Sequence, residues 1–338
     1  MINNRLTVTL AATLLSAAAL PVMAQSTSAE LYGQIRLTVN SVTTGDRRVT
    51  ELRDNASRLG FRGSEDLGGG LKALFGAEYG YSADTGAFAS TTSAFRTSYV
   101  GLGGAFGVVA LGRLDSSNPT GSPLYSQVIA ITTFAPNDAG ATATSPSVFN
   151  SRNRTSDSLG YRSPNWGGFD LRARVYNRGA ATEAEDAARS LDLGLNYAGG
   201  PLRLALGYGQ DSRKVGLKVN EFDDKWQIGA RYNMNVIEPY AMYGRDRYNN
   251  TATTRRDVNW WVVGAKATQG ANTVVLNVMQ RDVQSSLTGK QKRWQAAYIY
   301  AMSKRTQFQF FIDNDGVNSA SKTNVKVRAV GAGIRHDF

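Results

Sequence analysis

Cysteine is absent from the sequence. That removes disulfides and thiolate metal sites together, so the fold must be held by packing and hydrogen bonding. Histidine occurs once, as His336. A Ser-His-Asp nucleophile system and a histidine-built zinc centre both lack their essential residue type. Beyond the N-terminus no window approaches the roughly 18 apolar residues that a membrane helix needs. Lys-Ser/Thr does not follow Gly68-Gly-Gly70 or Gly103-Gly104 at phosphate-loop spacing, so these read as turn glycines. Lys and Arg total 38 against 27 Asp and Glu, a formal charge of +11, yet the basic residues cluster only as pairs such as Arg47-Arg48 and Arg255-Arg256. A nucleic-acid patch is therefore not expected, nor is any cofactor. Proline is scarce at 8 residues while glycine reaches 35, a balance that suits many strands and tight turns rather than disorder.

The first 24 residues read as an export signal. Arg5 supplies a positive start, Leu10 to Leu20 an apolar core, and Val22-Met23-Ala24 a cleavage site before Gln25. The expected layout is residues 1–24 as a cleaved signal and 25–338 as one domain. Anionic solutes, lipopolysaccharide or nucleic acid could each meet the basic charge of an exported chain.

The dominant sequence period is two. Leu191, Leu193, Leu195 and Tyr197 alternate with polar or small residues, as do Leu202 to Tyr208, Trp226 to Tyr232 and Trp294 to Tyr300. Helix is not expected, apart from a turn within 115–150. Tight connectors fall at 66–70, 103–107, 164–168, 198–201, 233–235, 269–271 and 303–304. Longer polar segments alternate with them at 41–56, 83–94, 114–153, 179–188, 212–222, 248–255, 284–290 and 316–323. Together these join sixteen strands. Short turns at one end and long loops at the other describe an all-β, antiparallel transmembrane barrel of the outer membrane. A soluble sandwich alternates too, but rarely segregates its connections this way. The last strand agrees: Val330, Ala332, Ile334, His336 and Phe338 would face lipid, and Arg335 and Asp337 the lumen. The mean hydropathy of −0.31 is compatible, because only alternate residues touch lipid. Tyr79, Tyr81, Trp226, Tyr232, Trp260, Trp261, Trp294, Tyr298 and Tyr300 include outward positions suited to interfacial girdles.

Segment 114–153 stands apart. It carries Pro119, Pro123, Pro136 and Pro146 and the apolar run Val128-Ile-Ala-Ile131. Folding inward against the barrel wall would bury that run and narrow the lumen, whereas a surface loop would leave it in water.

Several motifs resemble those of the general bacterial porins, most closely the β-proteobacterial type. They are Tyr32-Gly-Gln, the stretch from Ser57-Arg-Leu-Gly-Phe-Arg-Gly to Leu71-Lys-Ala-Leu-Phe75, Tyr99-Val-Gly-Leu102, Leu111-Gly-Arg113, Tyr161-Arg-Ser-Pro-Asn-Trp-Gly-Gly-Phe169 and Arg335-His-Asp-Phe338. The resemblance runs the whole length in family order. It implies a sixteen-stranded homotrimer whose third loop folds inside as a constriction, passing small hydrophilic solutes without a catalytic centre. By the same resemblance Arg58, Arg62, Arg96 and Arg154 match basic wall positions, and Glu78 an inward acid. The four arginines also read as inward by alternation, as do Arg36, Arg172 and Arg174. The third loop departs from the enterobacterial Pro-Glu-Phe-Gly-Gly type, its acids being Asp115 and Asp138. Basic excess at Arg36, Arg58, Arg62, Arg96 and Arg154 over Glu78, Asp115 and Asp138 predicts an anion-preferring constriction.

Two other functions stay open on the sequence: a solute-specific outer-membrane channel, and a barrel that anchors surface loops for adhesion or lipopolysaccharide contact. Metal is not expected; the densest acidic group, Glu221 with Asp223-Asp224, reads as a solvated loop end, with a divalent-ion site as the alternative.

Overall fold

Alternation of apolar and polar residues builds one continuous antiparallel wall. The computed structural model describes residues 27–88, 95–115, 120–121, 123–133, 154–177, 189–212, 222–249, 254–282, 289–319 and 322–338. The expected signal 1–24 and Asp138 lie outside them. The strands are β1 (Thr27–Thr44), β2 (Arg47–Asp54), β3 (Arg58–Gly68), β4 (Leu71–Gly80), β5 (Phe95–Gly104), β6 (Gly107–Leu114), β7 (Thr155–Arg162), β8 (Phe169–Asn177) and β9 (Arg189–Gly199). They continue as β10 (Leu202–Ser212), β11 (Phe222–Tyr232), β12 (Ile237–Asn249), β13 (Arg255–Gln269), β14 (Asn272–Asp282), β15 (Gly289–Ala301), β16 (Thr306–Ser319) and β17 (Lys322–Asp337). Among the described residues one helix, α1 (Pro123–Ile131), lies between β6 and β7.

Apart from β2 and β3, each strand pairs with the next, and β17 returns to β1 from Gln34↔Asp337 to Thr44↔Val327. The barrel is thereby closed on itself. Seventeen strands occupy sixteen wall positions, because β2 and β3 lie end to end against β1: Leu37–Thr44 pairs with β2 and Thr27–Gln34 with β3. The break between them holds Ala56 at φ 65°. The Asp54 carboxylate accepts the backbone N–H of Ala56 at 2.9 Å and of Ala83 at 3.3 Å, and Gln34 Nε2 donates to Ala56 O at 2.9 Å. This pinned kink sets the start of β3, and therefore Arg58.

The outer face is apolar. Leu31, Val39, Phe61, Val100, Leu206, Ile228, Val263, Leu276 and Val278 are exposed, the inverse of a soluble core and the form a bilayer stabilises. The half-buried Trp226 packs on Tyr243 with ring centroids 5.4 Å apart, and Tyr243, Trp294, Tyr298 and Tyr300 are exposed. Trp260 is a correction to the expected girdle. It faces inward, 2 % exposed, with Nε1 donating to Asp246 at 3.3 Å, since adjacent residues Trp260 and Trp261 must take opposite faces.

The seven expected tight turns all join strands. Several expected long loops are shorter than the polar sequence suggests. Thr44 and Arg47 flank a two-residue turn inside the expected 41–56 loop, and β16 and β17 run deep into 316–323. Polar residues outside the hydrocarbon layer carry no desolvation penalty, so the ladder of backbone bonds continues through them.

Candidate functional site

Helix α1 lies on the lumenal face. Leu195, Leu206 and Ile228 are exposed on the outer side of β9 to β11, while the helix fills positions on the opposite side. Those positions are glycines. A Cβ at Gly194 would meet Pro123 and Gln127, at Gly207 Gln127 and Leu124, at Gly209 Leu124, and at Gly229 Ile131 at 3.2 Å. The glycines cut a trough across three strands, and any larger side chain there would lift the helix off the wall.

Three contacts hold α1 in this trough. Leu124, Val128 and Ile131 are at most 2 % exposed, and Val128 and Ile131 pack against Tyr240, Met242, Trp260, Val262 and Met279. Each such side chain contributes roughly 1.5–3 kcal/mol on full burial. Gln127 is buried with its amide satisfied: Nε2 donates to Leu206 O at 2.9 Å and Asn196 Oδ1 at 3.0 Å, and Oε1 accepts from Gln227 Nε2 at 2.9 Å. Past the helix, Thr133 O accepts from Tyr240 OH at 2.7 Å and Asn277 Nδ2 at 2.5 Å. Proline at the first helical position is compatible with helix initiation, its missing N–H being one that would find no intrahelical partner. Gln127, Gln227 and the trough glycines were not singled out from sequence; the signal available was glycine recurring at inward positions of neighbouring strands.

A basic cluster lines β1, β3 and β5 and the start of β7. Glu78, on β4, is 1 % exposed and lies beneath two guanidiniums, Arg96 Nε at 2.7 Å and Arg58 Nε at 3.6 Å; Tyr32 OH donates to it at 3.2 Å. Arg154 Nε is 3.6 Å from the Asp115 carboxylate, which is 3 % exposed. Arg58 and Arg154 remain 30 % and 28 % exposed. The acids are thus covered, while Arg58 and Arg154 stay partly exposed. Arg36 sits one inward step beyond Gln34, whose partner is Arg58, and lies directly across from Arg335. Arg335 extends the same wall, with Nε 2.8 Å from Asp337.

Arg96 faces inward as expected, although strict alternation from the outward Val100 would put it on the outer face. A register shift, pairing Glu78 with Thr97 and Tyr79 with Phe95, gives β5 an extra residue there and brings Arg96 to Glu78. Arg62 is a correction and stands apart from the cluster. It lies four residues from Arg58 along β3, about 13 Å, ion-paired with Glu30 and 4.9 Å above the Tyr32 ring. Asp223 and Asp224 face arginines: Arg255 lies 2.8 Å from Asp223, and Arg247 3.2 Å from Asp224.

Comparison with known proteins places this architecture. A family model described as Gram-negative porin matches residues 11–319. The chain belongs to the Gram-negative porin family. It is 30% identical to outer membrane porin protein 32 of Delftia acidovorans, over 92% of this chain and 90% of that one. It is 28% identical to an outer membrane porin protein of Bordetella pertussis, over 84% and 83% of the two chains. A solved anion-selective porin from Comamonas acidovorans superposes with a TM-score of 0.76 at 26% identity, covering 93% of this porin and all of that chain. The protein is therefore an outer-membrane porin, a closed β-barrel around a lumen for diffusing solutes.

Proposed function

We propose that this porin passes small hydrophilic solutes passively, without a catalytic step, and prefers anions. Arg36, Arg58, Arg96 and Arg154 form one wall of the constriction, and helix α1 narrows the lumen from the side of β9 to β11. The observation that carries this reading is the burial of Glu78 and Asp115 beneath partly exposed arginines. Fixed positive charge beside low-dielectric walls concentrates anions and repels cations. The similarity to a porin described as anion-selective supports the same preference. Under a KCl gradient across a planar bilayer, the reversal potential should have the sign of chloride preference and shrink toward zero in molar salt as screening shortens to about 3 Å. A potassium-preferring potential at low salt would rule the reading out.

The outer-membrane form begins at Gln25 after loss of residues 1–24, and its outward surface meets lipid and lipopolysaccharide. The porin assembles as a homotrimer. Unheated samples on a detergent gel should migrate near three times the mass of the mature chain, collapse to one on boiling, and give Gln25 as the first residue on sequencing. A monomer before heating, conducting in single steps, would exclude the trimer.

A further inference from the structure

We infer that a second anion-binding station, for small oxyanions such as phosphate or carboxylates, lies on the lumenal wall directly beneath α1. It is formed by Arg162, Arg172, Arg203, Arg231 and Lys266. The inference rests on the anion-preferring reading above and extends it to a separate place in the channel.

Register brings these residues together. Arg162 of β7 lies directly opposite Arg172 of β8, and Arg203 of β10 directly opposite Arg231 of β11. Each face assignment follows from a glycine two residues away on the same strand or from the alternation beside it. A Cβ at Gly160 would meet Thr120 and Leu114, and one at Gly229 would meet Ile131, so Arg162 and Arg231 point inward. Arg203 lies between Leu202 and the outward Leu204, and Lys266 is ion-paired to Glu238 at 2.6 Å. Like charges directly opposite on paired strands are destabilising. Two such pairs on one arc are unfavourable for the empty barrel and favourable once an anion lies between them.

The acids of the arc do not balance it. Asp170 is shared by Arg172 at 2.9 Å and Arg162 at 3.8 Å. Glu238 is shared by Arg231 and Lys266. Arg203 has no hydrogen bond or ion pair among the described residues and is exposed. Five cations therefore stand against two carboxylates.

The arc is also tied to α1. Arg172 Nη1 donates to Ser126 Oγ at 3.1 Å, and Arg231 Nη1 to Ala130 O at 3.4 Å, so the helix rests on the two arginines nearest its ends. β8 and β11 are three strand spacings apart, about 14 Å. All five residues lie near the short-turn ends of their strands, the periplasmic side in barrels of this kind. An anion leaving the constriction therefore meets this arc next. The planar guanidinium forks of Arg162 and Arg203 suit two-oxygen contact with phosphate or carboxylate.

The test uses the mature, full-length porin in planar bilayers, with inorganic phosphate titrated into KCl on one side at a time. Wild type should show chloride current blocked by phosphate at lower concentration from one side than from the other. In R162Q/R203Q the half-blocking concentration from the sensitive side should rise about tenfold, since each unit charge at about 6 Å in water changes local anion concentration about threefold. The chloride-over-potassium ratio should fall by less than twofold. A half-blocking concentration within twofold of wild type, or no side-dependent block in wild type, overturns the second station. If the double variant does not fold, R203Q and R203E carry the test, because Arg203 holds no hydrogen bond or ion pair among the described residues. Block should weaken from wild type to R203Q to R203E, and equal block in all three overturns the proposal. Potassium preference in the wild-type reversal potential would instead defeat the anion reading on which it rests.

Discussion

Deleting residues 120–133, which removes α1, should raise single-channel conductance on the order of twofold or more, because a helix about 10 Å across leaves the lumen. Solutes excluded by the wild-type porin should then enter proteoliposomes. The barrel should survive the deletion, since no strand pairing involves α1 and the trough is floored by glycines. The lost burial of Leu124, Val128 and Ile131 falls on the loop rather than on the wall ladder. Newly exposed Tyr240, Met242 and Met279 would make the inner wall less polar, so the thermal transition should drop modestly. Unchanged conductance in a folded variant would mean that α1 does not limit the path.

Neutralising the basic wall should have the largest effect on selectivity. At about 6 Å in water a unit charge is worth about 0.7 kcal/mol, or about threefold in local ion concentration. R58Q/R154Q should therefore lower the chloride-over-potassium permeability ratio roughly tenfold, read from reversal potentials in dilute KCl. R96Q should behave differently. Arg96 is the closest partner of the buried Glu78, and removing it leaves that carboxylate with Arg58 and Tyr32. The expected result is a smaller selectivity change with a larger loss of thermal stability, as when a buried charge loses its better partner. If R58Q/R154Q kept the wild-type ratio, the cluster would be structural and the field would arise elsewhere in the lumen.

Much of this architecture is legible in the chain itself. Period-two alternation names the wall strands, and the spacing of turn residues sets their number. Leu-x-Leu-x-Leu runs at 191–195 and 202–206 identify outward faces directly, because a side chain cannot change face without a bulge. The same rule located Arg58, between the outward Leu59 and the kink, and the apolar run 128–131 within a long loop anticipated the burial of Val128 and Ile131 against the wall.

Tertiary structure decided the rest, wherever local alternation stopped being the controlling term. The bulge at Glu78 reverses the face of Arg96, and only the neighbouring strand reveals it. The kink at Asp54–Ser57 divides one wall position into β2 and β3. Arg62 shares parity with Arg58, but height along the barrel depends on strand stagger, which parity does not encode. The seat of α1 depends on glycines at 194, 207, 209 and 229, distant in sequence and adjacent only once three strands are in register. Along unbroken strands, sequence by itself determined which side chains face lipid and which face water. Pairing between strands determined which inward charges meet, since electrostatic and packing contacts act across the sheet while sequence order runs along it.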